Sequence, residues 1–242
     1  MKITFWPTVF FLALFLLLIN LGFWQLRRYH YKENLLQEFH LAIKASPASL
    51  DDILALKNPE FRRIQISGHY INSKTILLAN QFAQHQSGYD VITPLMISAD
   101  NKAVLIDRGW VSTQTAANPN LMQADQQLIN LTGYVKFPYQ HVFILGPTVL
   151  NPNQFPLQVQ KIDLKTLSQA TQLNLYPFII RLSKTEPNGF YREWVITTVM
   201  PERHMAYAVQ WFLMAIVLII IYLYFLSSLS RKRFARRGRG LG

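Results

Sequence analysis

The chain has 242 residues and a formal net charge of +11; half of its residues are hydrophobic, and it contains no cysteine. At roughly 150 residues per domain, this length predicts one main folded unit with appendages. The apolar fraction excludes a disordered chain, and the lack of cysteine excludes disulfides, thiolate metal sites and thiol chemistry. The positive charge leaves nucleic acid, anionic lipid or an acidic ligand as classes of partner.

The first apolar run covers residues 5–26 and carries no charged side chain. This length matches the roughly 20 helical residues that cross the hydrocarbon core of a membrane, and Trp6 and Trp24 suit its two interfaces. A cleavable signal peptide is the alternative, but its apolar region would have only about 7–15 residues. Arg27 follows the run without a small-residue cleavage site. We therefore predict that residues 1–28 form the N-terminal cytoplasmic end and an uncleaved transmembrane helix.

Three helical patterns follow the first span. Apolar residues recur at helical spacing up to Lys44, which predicts that the span continues as an amphipathic helix. Residues 49–52 (Ser-Leu-Asp-Asp) are typical of a capping box and predict a short helix to about Lys57. Asp163 suits the N-cap of a further helix that ends near Leu173.

Beyond Pro59 the apolar pattern changes to period two, which is typical of half-buried strands. Runs separated by Gly, Asn and Pro predict strands at residues 63–68, 75–79, 89–97, 103–106, 128–135, 178–182 and 190–195. Polar or Pro- and Asn-rich segments predict loops at residues 112–127 and 146–156. We predict that residues 29–204 form an external β-rich α+β domain, built as a sheet or partly open barrel with peripheral helices.

The second uncharged run covers residues 205–229 and is also long enough to span a membrane. A buried core helix is the alternative, which the length of the run and the basic residues after it disfavour. The tail of residues 230–242 has no acidic residue and six basic ones: Arg231, Lys232, Arg233, Arg236, Arg237 and Arg239. Since residues 1–44 carry +3, only +2 is left for residues 45–230. This nearly neutral middle segment gives nucleic acid binding no support.

The Lys and Arg residues near the span ends predict the orientation in the membrane. Seven basic residues lie on the side of the termini and six lie on the other side, so the counts are nearly even. Long domains translocate largely regardless of charge, so we expect the dense basic tail to determine the orientation. We predict a multi-pass protein of a bacterial inner membrane, with both termini cytoplasmic and the main domain periplasmic. No Arg- and Ser-rich presequence precedes the first span, which favours this location.

Motifs for catalysis or metal binding are scarce. The sequence has no GxSxG, P-loop, HExxH or GxGxxG pattern, and its six histidines are far apart. At residues 107–110, at a predicted strand end, we expect a turn held by an Asp107–Arg108 pair. A copper chaperone is disfavoured because Cu(I) prefers soft ligands, and the chain has no Cys and few Met outside the spans. We therefore predict no enzymatic activity.

Two segments at the outer membrane surface carry the most specific chemistry. Residues 22–28 (Gly-Phe-Trp-Gln-Leu-Arg-Arg) join the first span to the external domain, although an interfacial Trp with snorkelling arginines is the alternative. Residues 202–211 enter the second span and place an imidazole, a small residue and two aromatic rings on one helix face: His204, Tyr207, Ala208 and Trp211.

This helix face would suit a planar apolar ligand with a metal centre. Imidazole is a common axial ligand of haem iron, so His204 is the candidate ligand. The guanidinium groups of Arg28 and Arg203 would pair with haem propionates at the membrane surface. A histidine that only caps the helix or forms a hydrogen bond is the alternative.

Family-like motifs occur in order along the chain. Residues 21–32 are similar to the pattern LGxWQxxRxxxK, and residues 202–212 are similar to NxHxxYAxxWF, with Glu202 in place of its Asn. Between them lie Phe61-Arg62 ahead of Gly68-His69-Tyr70, then GYDVITPL at 88–95 and VLIDRGWV at 104–111. Together these segments resemble the surfeit-locus family of cytochrome c oxidase assembly proteins over nearly the whole chain.

The resemblance implies an assembly factor for cytochrome c oxidase, a haem–copper terminal oxidase. Such a protein would bind haem a and assist its delivery to the catalytic subunit, which would be a partner together with the membrane. A haem a synthase is a further candidate partner. The resemblance implies that His204 is the ligand of the haem iron and that four residues shape the site between the spans: Trp24, Arg28, Tyr207 and Trp211. It implies that residues 107–110 hold the external domain together.

Two alternatives remain open at this point. A scaffold would stabilise oxidase subunits during assembly without binding haem, and its association with them would not depend on His204. An enzyme acting in the external domain would need a clustered set of acid, base or nucleophile side chains, which the sequence does not display.

Overall fold

The structure, a computed structural model, describes residues 2–97, 101–138, 151, 154–194 and 199–238. The chain divides into two compact units, one of residues 1–37 with 195–242 and one of residues 38–194, and each is described by itself. Two helices are long and apolar enough to cross a membrane. This agrees with the two predicted spans and with the predicted β-rich domain between them.

The first unit consists of two long helices. Helix α1 covers Lys2–Lys44, so the first span continues as a helix to Lys44 as predicted. Its last turns, from residue 38 onwards, belong to the second unit. Helix α5 covers Pro201–Gly238 and contains the second apolar run. Most of the apolar side chains in both helices are exposed, which suits a lipid surrounding rather than a water-soluble core.

The second unit is a β-barrel with short helices at its edge. Its strands are β1 (Arg63–Tyr70), β2 (Ile76–Ala83), β3 (Gln86–Ile97), β4 (Lys102–Ser112), β5 (Ile129–Lys136), β6 (Leu157–Val159) and β7 (Leu175–Leu182). The sheet order is β1-β5-β7-β4-β3-β2-β6, and pairing of β1 with β3 closes five strands into a ring. The short helices are α2 (Leu50–Ala55), α3 (Thr113–Ala116) and α4 (Leu164–Thr171).

Local sequence signals account for these elements. The hydroxyl of Ser49 accepts a hydrogen bond from the Asp52 backbone, and the Asp52 carboxylate accepts one in return, so the predicted capping box starts α2. Asp163 caps α4 as predicted, accepting hydrogen bonds from two backbone N–H groups. In β1, Ile64 and Ile66 are buried and alternate with exposed polar residues, as expected for a strand with one face in the core.

Two apolar cores explain why β4 is buried along almost its whole length. Ile106 and Phe178 belong to a core formed inside the ring. Leu105 points to the opposite face of β4 and packs with Ile92 and Leu167 in a second core beneath α4. Because neighbouring strand residues face opposite sides, a strand covered on both sides shows no polar alternation.

Two expectations about this unit are wrong, and a third falls mostly outside the described residues. No ladder is described over residues 190–194, where only an isolated bridge joins Tyr191 to Trp110, and Val195 lies outside the described residues. Instead, the Arg192 guanidinium donates to backbone carbonyls of the preceding turn and fixes the chain there. The predicted loop 112–127 contains α3 and a 3-10 turn over Pro119–Met122, and the predicted loop 146–156 lies mostly outside the described residues.

Residues 107–110 lie inside β4 rather than at a strand end, and this corrects the expected turn. Asp107 contacts Arg181 of β7, with 3.6 Å between Oδ2 and Nε, instead of pairing with Arg108. Gly109 has a φ of 108° and allows the local irregularity in the strand. The sequence pattern Asp-Arg-Gly is turn-like, but burial in the sheet overrides it.

We predict that Gly109→Ala destabilises the barrel. An alanine Cβ would lie 2.6 Å from the Tyr191 carbonyl oxygen and 2.7 Å from Arg192 Cγ, in a backbone conformation that only glycine adopts easily. We expect the free energy of unfolding to fall by about 2–4 kcal/mol, measured by urea unfolding of the detergent-solubilised chain with far-UV circular dichroism. Ser67→Ala on the exposed face of β1 is the control, and equal stability of the two variants would contradict the prediction.

Candidate functional site

The helices α1 and α5 pack side by side and run in opposite directions. Near the N-terminal end of α1, the Thr8 hydroxyl lies 2.7 Å from the Tyr222 hydroxyl, and the ring of Phe11 stacks on Tyr222 with 4.0 Å between centroids. Further along, Phe23 meets Phe212 edge to face at 5.4 Å. These contacts fix the register of the two helices over most of the apolar length.

Small residues allow the close approach of the helices. Ala208 and Ala215, seven residues apart on α5, are almost completely buried, although most of the surrounding side chains are exposed. On α1, Leu18 and Gly22 are buried, and a Cβ at Gly22 would lie 2.5 Å from Phe212 Cε1. Helix pairs in membranes use such residues because close backbone approach increases van der Waals contact.

His204 lies one turn before Ala208 and forms a hydrogen bond across this contact. Its Nδ1 is 2.8 Å from Oε1 of Gln25 on α1, and the ring is partly buried. A carboxamide oxygen can only accept, so Nδ1 carries the proton and donates. In the neutral imidazole, the lone pair then lies on the opposite ring nitrogen, Nε2, and none of the described residues forms a hydrogen bond with that nitrogen.

The structure distributes the predicted site residues over the packed face and its surroundings. Trp211 is partly buried and shares with His204 the α5 face that meets α1. Trp24 is 46% exposed and Tyr207 is 50% exposed. Since its neighbour Ala208 is buried, Tyr207 lies at the edge of the packed face of α5. Arg28 and Arg203 are exposed, and the Arg28 guanidinium lies 5.9 Å from the Tyr31 ring centroid.

An apolar groove lies along one side of the helix pair. Its lining comes from both helices: Leu14, Leu18, Ala206, Val209, Gln210, Leu213, Met214, Val217, Leu218 and Ile221. Arg203 and Tyr207 precede Gln210 and Met214 by seven residues each, which is nearly two helical turns. They therefore lie on the groove side of α5, and the groove leads to the end of the helix that carries His204.

Gln25 belongs to this site but is not among the residues that the sequence predicted for it. A signal was present, since Gln25 is one of two strongly polar residues in an otherwise apolar run. Polar side chains inside membrane helices are costly unless they find partners, so a partner on the second span was to be expected. Glu202, which stands at the usual position of an Asn, is exposed, and Gln25 rather than Glu202 bonds the imidazole.

In the barrel, Arg108 is a buried cation without a carboxylate partner among the described residues. Only 1% of it is exposed, and burial lowers its pKa to about 10. It donates to the carbonyl oxygens of Met122 and Asn188, both at 2.6 Å, and its guanidinium lies over two aromatic rings, those of Tyr70 and Phe190. These contacts tie β1, β4 and two connecting segments together, which gives Arg108 a structural role.

Two buried carboxyl groups, those of Asp90 on β3 and Asp107 on β4, interact with Arg181 on β7. Burial raises the pKa of Asp90 and of Asp107, and the repulsion between the two groups raises the pKa of Asp90 further. Arg181 opposes both shifts, and its guanidinium stacks 4.9 Å from the Trp194 ring. Such paired acids occur in active sites, but Asp107 is 1% exposed and Asp90 is 8% exposed, so the pair faces the protein interior.

The fold and the site define a membrane protein in which two apolar helices flank a β-barrel domain. The family model of the SURF1 family matches residues 12–216, which is most of the chain. The chain therefore belongs to the SURF1 family, and the resemblance to the surfeit-locus family is confirmed.

Relatives of this chain occur in bacteria and in animals. A SURF1-like protein of Rickettsia bellii is 28% identical over 241 residues, which cover 94% of each chain. A SURF1-like protein of Rickettsia prowazekii is 27% identical over 225 residues, covering 90% of this chain and 88% of the relative. Surfeit locus protein 1 of Mus musculus is 27% identical over 224 residues, covering 84% and 71%. The similarity thus extends over both apolar helices and the barrel.

We predict that the stability of the barrel falls as the pH rises. An unfolded Asp90 ionises around its ordinary pKa of 3.8, whereas the folded group ionises only at about 8, so the unfolded chain loses its proton first. The loss of stability therefore occurs between about pH 4 and about pH 8. Asp90→Asn should flatten this dependence and raise the free energy of unfolding near pH 8 by about 1–3 kcal/mol.

Urea unfolding at a series of pH values checks this expectation. Asp51→Asn, which changes an exposed carboxylate at the start of α2, is the control and should keep the slope of the wild type. A wild-type barrel that gains stability from about pH 5 to about pH 8 would contradict the expected sign of the pH dependence.

Proposed function

We propose that this protein is an assembly factor for cytochrome c oxidase that binds haem a on its paired membrane helices. Membership of the SURF1 family supports the role in oxidase assembly. The observation that carries the haem proposal is His204, whose Nδ1 is bonded to Gln25 and whose Nε2 keeps a lone pair. On this proposal the protein acts as a carrier and not as an enzyme.

The number of potential ligands favours haem over a bare metal ion. No group of three or more His, Cys, Asp or Glu side chains that could hold an ion occurs among the described residues. A single imidazole is sufficient for haem, because the porphyrin supplies the four equatorial nitrogens and the protein supplies an axial ligand. The residues around His204 therefore fit a cargo that brings most of its own ligands.

The surroundings of His204 also suit a flat, largely apolar molecule with two carboxylates. The groove beside α5 is lined almost entirely by aliphatic side chains, and the half-exposed ring of Tyr207 stands on its side of the helix. At the end of the helix pair that carries His204, the exposed guanidinium groups of Arg28 and Arg203 suit propionate oxygens. A groove that opens along the side of a helix pair would let the cargo leave laterally towards the oxidase catalytic subunit.

The membrane orientation completes the proposal. The barrel would lie in the bacterial periplasm and both termini in the cytoplasm, because the basic tail follows the second span directly. The relatives in Rickettsia support a bacterial setting. The haem site would then lie at the outer surface of the inner membrane, where a haem a synthase is a further candidate partner.

We predict that the wild-type chain, purified in detergent from cells that make haem a, carries a haem a absorption spectrum. His204→Ala should lose this spectrum or change it strongly, because the iron loses its axial ligand. His30→Ala is the matched control, since His30 is an exposed histidine of the same helix pair whose Nδ1 lies 3.8 Å from a carboxylate oxygen of Glu33. The measurement is the reduced-minus-oxidised spectrum per mole of protein.

The outcome separates the carrier from the scaffold that binds no haem. Full haem content in His204→Ala would remove His204 as the ligand. Wild-type protein without haem that still co-purifies with the catalytic subunit would favour the scaffold, and co-purification by His204→Ala would then be unchanged.

The absence of native cysteine makes the orientation directly testable by labelling of single cysteines. We expect Ser67→Cys, on the exposed face of β1, to react with an impermeant maleimide when only the outer membrane is permeabilised. Lys232→Cys in the basic tail should react only after the inner membrane is disrupted. The reverse pattern would overturn the proposed orientation.

A further inference from the structure

We propose that Gln25 is a positioning residue that selects the tautomer of His204 and thereby decides which ring nitrogen is offered to iron. The proposal deepens the proposed function and rests on it for the nature of the ligand. Its geometric part concerns only Gln25 and His204, so it can be tested without any haem.

The hydrogen bond between the two side chains has one direction. Oε1 of Gln25 lies 2.8 Å from Nδ1 of His204, and a carboxamide oxygen has no proton to donate. The neutral imidazole must therefore carry its proton on Nδ1, which leaves the lone pair on Nε2. In the other tautomer, Nε2 would carry a proton and could not bind a metal, and Nδ1 could accept a hydrogen bond only if the carboxamide turned over and offered its NH2 group.

The position of Gln25 on α1 allows this bond to form. Gly22 lies three residues before Gln25, on the same side of the helix, and lacks the Cβ that would collide with Phe212. The helices can therefore approach closely enough for a carboxamide of this length to reach the imidazole. In a low-dielectric surrounding such a bond is stronger than in water, and an unpaired alternative is more costly.

The chemical character of Gln25 also sets the basicity of the ring. Partners that accept a proton from the second nitrogen of a ligating imidazole orient the ring and raise its strength as a donor to metal. A neutral carboxamide does this more weakly than a carboxylate. Gln25→Glu should therefore keep the tautomer and strengthen the axial ligand, whereas Gln25→Ala should release the ring.

The first experiment measures the tautomer in the full-length chain without haem. The protein is labelled with nitrogen-15 histidine, solubilised in detergent and examined by NMR in alkaline buffer, where imidazoles are neutral; His204→Ala assigns the signal. We expect the wild type and Gln25→Glu to show a proton on Nδ1 and a bare Nε2. Gln25→Ala should shift the ring towards the opposite tautomer or a mixture. Gln210→Ala is the matched control, because it removes a carboxamide from α5 that does not bond His204.

The second experiment uses protein from cells that make haem a. We expect Gln25→Ala to retain haem a roughly 10-fold less well than the wild type. Gln25→Glu should restore retention and lower the reduction potential of the bound haem, because a stronger axial donor favours the oxidised iron. Rescue by Gln25→Glu would distinguish positioning from a general loss of folding. A merely unfolded variant would lose haem without the changes of tautomer and reduction potential that a positioning role predicts.

The two experiments fail in different ways. An unchanged tautomer in Gln25→Ala, or equal haem retention with an unchanged potential in all three Gln25 forms, would overturn the role of Gln25. Wild-type protein that shows the expected tautomer but binds no haem would overturn the proposed function and leave the Gln25–His204 bond as a structural contact.

Discussion

The close packing of α1 against α5 is the constraint on which the candidate site depends. Gly22, Ala208 and Ala215 occupy the contact and bring the two backbones near each other. Only at this separation can Gln25 reach the imidazole at 2.8 Å. The site is thus built by residues that have almost no side chain, and its chemistry comes from two side chains at the end of the packed stripe.

The barrel depends on a different kind of interaction. Arg108 is buried without a carboxylate partner among the described residues, and it is stabilised by carbonyl oxygens and by two aromatic faces. Asp107, the neighbouring residue, turns to Arg181 instead. The charged residues of the DRG segment therefore serve the packing of the domain, in agreement with what the family resemblance implies for residues 107–110.

The sequence predicted the architecture well because the period of apolar residues reflects burial directly. The two spans, the capping box at Ser49 and most strands follow from local patterns. The strand expected at 190–195 was wrong because Arg192 side-chain bonds, which no local pattern reveals, replace a backbone ladder. For the same reason Gln25 was missed, since its partner lies 179 residues away in the sequence.

The strand order has a consequence for how the barrel forms. The last long strand, β7, lies between β4 and β5, so the ring has a gap until residues 175–182 are available. The carbonyl of Asn188, which receives a hydrogen bond from Arg108, arrives later still. A chain that is synthesised from its N-terminal end therefore exposes an open sheet edge until residues 175–182 have been made. The domain becomes a closed barrel only when the second membrane helix is about to follow.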